Sequence, residues 1–334
     1  MIPFEKCTRR GKLRRLRRLA AAALQQYDLE IDRLDLLATD TNILYRVTDR
    51  HGQQFALRLA DPRWRDREAA VSETLWLDAL AADTDIPVPR IRRSRDGAAV
   101  ISPQAEGAPA DWHALLMNWQ PGMLLGKRLT ARNLTAMGRM FARLHAHGRS
   151  WQPPSSFSPR QFTRYISRGE PQVLFTDENL ARYSAETAQQ LTELHETVSA
   201  AYAALDSADL QVIHCDLWHD NINIFRGELY PFDFEDTILG HRLHDIGMAM
   251  LDLYEVLDEE QYRTLLTAFR AGYTELLPWP EGELALFQLG RKLWVLNYIG
   301  MHWPQHLPAA ADFYIALYNR YRQTGRLVPP LAPG

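Results

Sequence analysis

Residues 214–236, HCDLWHDNINIFRGELYPFDFED, constrain the fold more tightly than any other stretch. Two short apolar runs, 222–225 and 229–234, flank Arg226-Gly227-Glu228. A glycine-containing break between such runs reads as a β-hairpin. With Gly227 at the centre of the turn, antiparallel pairing sets Asn221 opposite Asp233. Pro231 has no amide hydrogen, so its nitrogen must face an edge or a bulge. The ends of the hairpin are crowded with oxygen-bearing side chains: Asp216, Asp220, Asn221, Asn223 and Asp233. A merely solvated loop would not need the apolar residues between them. A tight ribbon bringing Asp216, Asn221 and Asp233 around one small volume accounts for both.

Hard oxygen donors of this kind suit magnesium, which takes one or two carboxylates and fills its shell with water and substrate phosphates. An aspartate spared from the metal can accept a proton from an incoming hydroxyl. Phosphoryl transfer needs both. His214, Cys215, His219, His241 and His244 invite a zinc reading, but their spacing matches no zinc framework.

The rest of the chain changes character once. Residues 41–60, TNILYRVTDRHGQQFALRLA, alternate in two bursts around a turn at Asp49-Arg50-His51-Gly52 and predict a second hairpin. Residues 65–82 have helical periodicity and stop before Pro87 and Pro89. Strand-like runs at 98–104 and 113–119 follow, the second closing at Gln120-Pro121-Gly122. From Thr130 onward the pattern is mostly helical. A strand-rich part giving way to a helix-rich part predicts two lobes, 1–118 and 119–334.

His-x-Asp-x-x-x-x-Asn would arise by chance in about one chain in fifty of this length. A strand ending in Asp233-Phe234 and the preceding lobes reduce that chance further. Together, HCDLWHDN and PFDFED resemble the catalytic and metal-binding loops of the protein-kinase-like fold. With Glu235-Asp236 in place of a glycine after Asp-Phe, and HRLHDIG shortly after, the chain resembles the aminoglycoside phosphotransferase and choline kinase superfamily over residues 35–320. That resemblance implies an α+β, bilobal fold: an antiparallel sheet with helices in the N-terminal lobe, and a larger, mainly helical C-terminal lobe carrying the catalytic hairpin. Asp216 then resembles the catalytic base, Asn221 and Asp233 match magnesium ligands, His214 braces the loop, and Asp245 supports it. Cys215 stands where the family commonly has glycine.

On the nucleotide side the resemblance points to Arg58 in FALRLA, in place of lysine, paired with a helix glutamate; Glu73 is preferred to Glu68. The turn ATDTNILYRV has no glycine, so backbone amides and the side chains of Thr39, Thr41 and Asn42 would meet the phosphates. Met117, Asn118 and Trp119 would lie nearest the adenine. Glu235, Asp236, Trp218, Trp294 and Trp303 are the candidates for the acceptor, because aromatic faces beside carboxylates suit a cationic or amino-alcohol compound. Rows of aromatics at helical spacing, such as Trp294, Tyr298 and His302, are more usually core.

The implied activity is transfer of the γ-phosphate of ATP or GTP, with Mg2+, to a hydroxyl of an amino alcohol, a homoserine-like compound or an aminoglycoside-like compound. The competing readings are a serine/threonine protein kinase of the bacterial stress-response type and a nucleotide-binding pseudokinase without catalysis. A net charge of -3 gives no argument for nucleic acid or a membrane surface. Two distant cysteines predict no disulfide framework and a cytoplasmic setting. No stretch has the apolar length of a membrane span or a signal core. The basic run KCTRRGKLRRLRR, leading into a helix expected at about 10–27, reads as a solvated face whose leucines pack onto the body. Binding to an anionic surface and organellar targeting are its alternatives.

Overall fold

The structure, a computed structural model, describes residues 2–39, 41–166, 170–250, 253 and 257–327. Two compact units divide the chain. The first takes Met1–Gly122, Gln152–Pro159 and Tyr230–Glu235; the second takes Met123–Trp151, Arg160–Leu229 and Asp236–Gly334.

The first unit opens with α1 (Arg9–Leu24), whose N-cap Thr8 accepts a hydrogen bond from the Gly11 amide. Strands β1 (Ile31–Ala38), β2 (Asn42–Asp49) and β3 (Gln54–Ala60) follow, then α2 (Arg67–Asp83), β4 (Ile91–Arg92) and β5 (His113–Asn118). They form one antiparallel sheet in the order β1-β2-β3-β5-β4. Leu16, Leu19 and Leu24 of α1 join Tyr45, Val47, Leu57, Leu59 and Leu116 in the core beneath the helix. α2 starts at Asp66, which caps the Ala69 amide.

One strand goes unmarked in the sequence, and one expectation needs correction. β1 has no clear apolar alternation, and Leu36 and Leu37 are exposed, so its sequence does not announce an edge strand. Residues 98–104 form no strand but only an isolated bridge from Ile101 to Ala114, because Pro103 offers no amide to a ladder.

The second unit contains β6 (Met123–Leu124), α3 (Ala131–Ser150), β7 (Arg160–Gln161), α4 (Asp177–Leu180), α5 (Ala185–Ala203), β8 (Leu210–Ile213) and β9 (Ile222–Phe225). After β10 (Glu228–Pro231), inside which the division between the units falls, come β11 (Ile238–His241), α6 (Arg242–Ala249), α7 (Glu259–Thr274), α8 (Leu284–His302) and α9 (Leu307–Thr324). Two small sheets have the orders β10-β9-β6 and β7-β11-β8. Leu191, Leu194, Leu289, Leu293, Leu296 and Ile315 bury the helices against one another. Antiparallel sheet first, helices second: the fold is α+β, as expected.

The hairpin is tighter than its sequence suggests. Its turn is Arg226-Gly227 alone, with φ of 52° and 87°. Two left-handed residues make the primed turn that matches strand twist. Glu228 therefore belongs to β10 and not to the turn, and the pairing centred on Gly227 is corrected. β10 ends at Pro231, where the ladder loses its donor. Asp233 lies past the strand in the left-handed region, with φ of 64°.

Candidate active site

In the second unit, β8 delivers the chain into His214-Cys215-Asp216. Cys215 sits at φ 71°, a conformation that costs an L-residue with a side chain about 1–2 kcal/mol. Its surroundings hold it there. The Cys215 amide donates to Asp245 Oδ1 at 2.7 Å, and the Asp216 amide donates to His214 Nδ1 at 3.3 Å. Asn221 Nδ2 donates to the Asp216 carbonyl at 2.8 Å and lies 3.4 Å from its carboxylate. That donation orients the amide and leaves its oxygen on the opposite side.

Asp245 is fully buried on α6. Burial pushes its pKa up, but His145 beside it, with His214 and the Cys215 amide, outweighs that and holds the carboxyl below the usual carboxylate range. His145 Nε2 lies 2.9 Å from Asp245 Oδ2, and its Nδ1 is 2.9 Å from the Tyr273 hydroxyl. Arg242 extends the chain, 3.3 Å from the same hydroxyl and 2.6 Å from Asp209. A continuous buried network thus fixes the backbone on which Asp216 stands.

Asp216 is partly exposed, and Arg291 Nη2 of α8 lies 3.6 Å from its Oδ1. The Arg291 guanidinium covers the Trp294 ring at 4.0 Å. Trp294 Nε1 donates to Glu170 at 2.5 Å, and its ring stacks with Tyr298 at 5.7 Å. Tyr298 continues to His302 and Trp303 at 4.4 and 5.6 Å. Trp303 is half exposed, Trp218 packs edge-on to His219 at 4.9 Å, and Asp236 is buried.

In the first unit, Arg58 of β3 pairs with Glu73 of α2, and both are buried. Glu68, the competing glutamate, is exposed. Arg58 Nη1 also lies 3.8 Å from Asp233 and 3.8 Å from Glu235. Burial opposes the Arg58 charge, but Glu73, Glu235 and Asp233 more than offset it and raise its pKa. Burial also raises the pKa of Glu73, against the pull of Arg58. Glu235 accepts from Asn42 and, at 3.2 Å, from Trp64 Nε1. Although burial works the other way, Arg58, Arg65 and these donors lower its pKa. Phe234 meets Trp76 of α2 edge-on at 5.6 Å, which ties the segment after Asp233 to the helix that carries Glu73.

Thr41 precedes β2 and is half-buried; Met117 is buried in β5, opposite Ala56 and Ile91. Trp119 is half-buried beneath the Arg46 guanidinium, 5.9 Å from its ring. Asn42 and Glu235, assigned from the sequence to nucleotide and acceptor respectively, bond to each other.

Several site residues escaped the sequence reading. Arg291 lies one helical turn before Trp294, so extending that aromatic row backwards would have reached it. Trp64 and Arg65 stand in DPRWRDRE, where nothing but an unusual tryptophan marks them. His145 carries no local signal at all; its role depends on a contact across 100 residues.

Among the described residues, no three side chains of His, Cys, Asp or Glu converge as a metal cluster. Of the two expected ligands, the second unit carries the Asn221 amide oxygen and the first the Asp233 carboxylate, both hard oxygen donors. That donor chemistry fits magnesium.

The profile of the phosphotransferase enzyme family matches residues 40–279. No protein among the curated ones searched matches the chain. Among solved structures, a microcompartment-associated aminopropanol kinase is 22% identical, with a TM-score of 0.75 over 93% of this chain and 98% of the other. An amicoumacin kinase in complex with AMP-PNP, Ca2+ and its antibiotic is 18% identical, with a TM-score of 0.75 over 97% and 98%. A spectinomycin phosphotransferase in complex with ADP and spectinomycin is 11% identical, with a TM-score of 0.60 over 90% and 94%.

Proposed function

Because the chain belongs to the phosphotransferase enzyme family, we propose that it moves the γ-phosphate of ATP, or of GTP, to a hydroxyl of a small aminated molecule, with Asp216 as the base. The observation that carries this reading is the bracing of Asp216. Three hydrogen bonds fix the backbone around it, from the Cys215 amide to Asp245, from the Asp216 amide to His214 and from Asn221 to the Asp216 carbonyl, while its carboxylate stays partly exposed. Asp216 would take the hydroxyl proton as the acceptor oxygen bonds to phosphorus and the bond from the γ-phosphorus to its bridging oxygen breaks.

Asn221 and Asp233 would hold Mg2+, whose charge neutralises the phosphate oxygens. Arg58, oriented by Glu73, would meet the same phosphates; its fork of donors suits them. Thr41, Met117 and Trp119 belong to the nucleotide side of this reading, and residues 1–118 to nucleotide binding generally. The acceptor would lie along the aromatic row of α8 beyond Trp294, whose ring Arg291 already covers, against Tyr298 and the half-exposed Trp303; the Glu170 carboxylate beside that row favours a cation. The name of one structural relative, an aminopropanol kinase, supports that choice. Both cysteines are free, which supports the cytoplasm as its location.

A panel of amino alcohols, hydroxylated amino acids and aminoglycosides, scored by ADP release, tests the proposal. One or more should release ADP in a Mg2+-dependent way, and Asp233→Ala should abolish metal-dependent nucleotide binding. Labelled phosphate appearing in protein, with no small acceptor active, would instead favour a protein kinase.

A further inference from the structure

We infer a second ligand site in the first unit, built from α1 and the edge of the sheet, which takes a phosphorylated organic anion. Arg10, Arg14 and Arg17 line one side of an open cavity of about 570 Å³, with Leu13, Leu36 and Tyr45 forming its apolar part. The volume falls within the range of small-molecule sites. None of these residues belongs to the phosphotransfer machinery described above.

Charge makes this cavity unusual. α1 carries seven basic side chains and no acidic one, in a chain whose net charge is -3. Arginines at positions 10, 14 and 17 recur at helical spacing, so like charges share one face and repel. Arg9 and Arg10 also stand in the first turn, where the helix dipole favours anions, and no acidic residue occupies that turn. Arg17, on the cavity side, donates to the Leu34 carbonyl at 2.9 Å, and three other basic residues of the helix have structural partners. Arg9 reaches the Thr39 hydroxyl, Arg15 the Gly107 carbonyl and Lys12 Glu5. Among the described residues, Arg10 and Arg14 meet no carboxylate. An anion bound between them would remove the repulsion and satisfy the dipole together.

The apolar residues choose among anions. The hydrophobic face of α1 is spent on the core through Leu16, Leu19, Ala20, Ala23 and Leu24, so it has nothing to insert into a bilayer. A concave site backed by Leu13, Leu36 and Tyr45 suits one phosphate-bearing molecule with an apolar or aromatic group. It offers less to a nucleic-acid backbone, which needs a continuous basic track.

Calorimetry on the full chain, with Mg–AMP-PNP filling the phosphotransfer site, tests this with two probes, inorganic phosphate and phenyl phosphate. Saturable binding of phenyl phosphate is expected, tighter than inorganic phosphate. Arg10→Gln/Arg14→Gln should weaken it about tenfold or more, with the melting temperature unchanged or raised. Leu36→Ser should erase the advantage of the phenyl group. No saturable binding, or equal affinity in the double variant, would overturn the proposal. So would binding of RNA or anionic vesicles through these arginines without binding of phenyl phosphate.

Discussion

Cys215 is a test of local geometry that ordinary propensities get backwards. Alanine normally outranks glycine as a replacement, because glycine loses more freedom on folding. At φ 71° the order reverses, since only glycine adopts that angle without a clash. Both replacements lose the thiol 3.7 Å from His244, so their difference isolates the backbone. Cys215→Gly should be more stable than Cys215→Ala by about 1 kcal/mol in chemical denaturation; the ordinary order would mean that residue 215 is not left-handed. His113 gives a second residue-level expectation. Among the described residues, neither of its buried ring nitrogens has a hydrogen-bond partner. Burial, with Arg58 and Arg67 nearby, lowers its pKa from 6.5 to about 4. The unfolded chain therefore binds the proton first, and stability falls as pH drops from 6.5 to 4, by on the order of 3 kcal/mol at the lower limit. His113→Phe should flatten that part of the stability profile relative to the wild type, measured by denaturation across the same range. An unchanged slope would mean that His113 protonates freely in the folded state.

Between elements, the closest packing is made by residues with no side chain. A Cβ at Gly138 of α3 would stand 2.0 Å from the Phe269 carbonyl oxygen of α7, and one at Gly272 of α7 would stand 2.0 Å from that of Thr135. Backbone cannot yield as a side-chain tip can, so the helices would have to part. Gly138→Ala and Gly272→Ala should each cost about 1–3 kcal/mol. Because one separation relieves both clashes, the double variant should cost less than the sum, as a double-mutant cycle would register. Nothing in the sequence separates these glycines from tolerated helix glycines, since the signal is a contact between distant segments. α1, α2, α3 and the hairpin from β2 to β3 were legible because each carries its own periodicity and stop signals. The hairpin of β9 and β10 was legible in place but not in detail: a two-residue turn with arginine left-handed looks, letter by letter, like a three-residue one. β1 was missed because its exposed leucines break the alternation by which strands are recognised.

At the scale of the whole molecule, the chain is a phosphotransferase acting on hydroxyl groups, on a protein-kinase-like fold. Much of the candidate site could be proposed from spacing, because loop and hairpin residues lie close in sequence: His214, Asp216, Asn221 and Asp233 fall within 20 positions. The supports could be read only in part: the resemblance pairs Arg58 with Glu73, and the two do pair. Asp245 also depends on His145 and Tyr273, and Arg58 on Glu235, partners that only the folded chain brings together. No helix among the described residues is long and apolar enough to cross a membrane. The central claim rests on a single carboxylate whose proton-accepting ability can be removed with little change in size. Asp216→Asn, assayed with an acceptor from the panel alongside calorimetric Mg–ATP titration, is the most direct measurement. The account predicts nucleotide affinity close to wild type and turnover reduced by about 10²–10⁴-fold; turnover at the wild-type rate would contradict it.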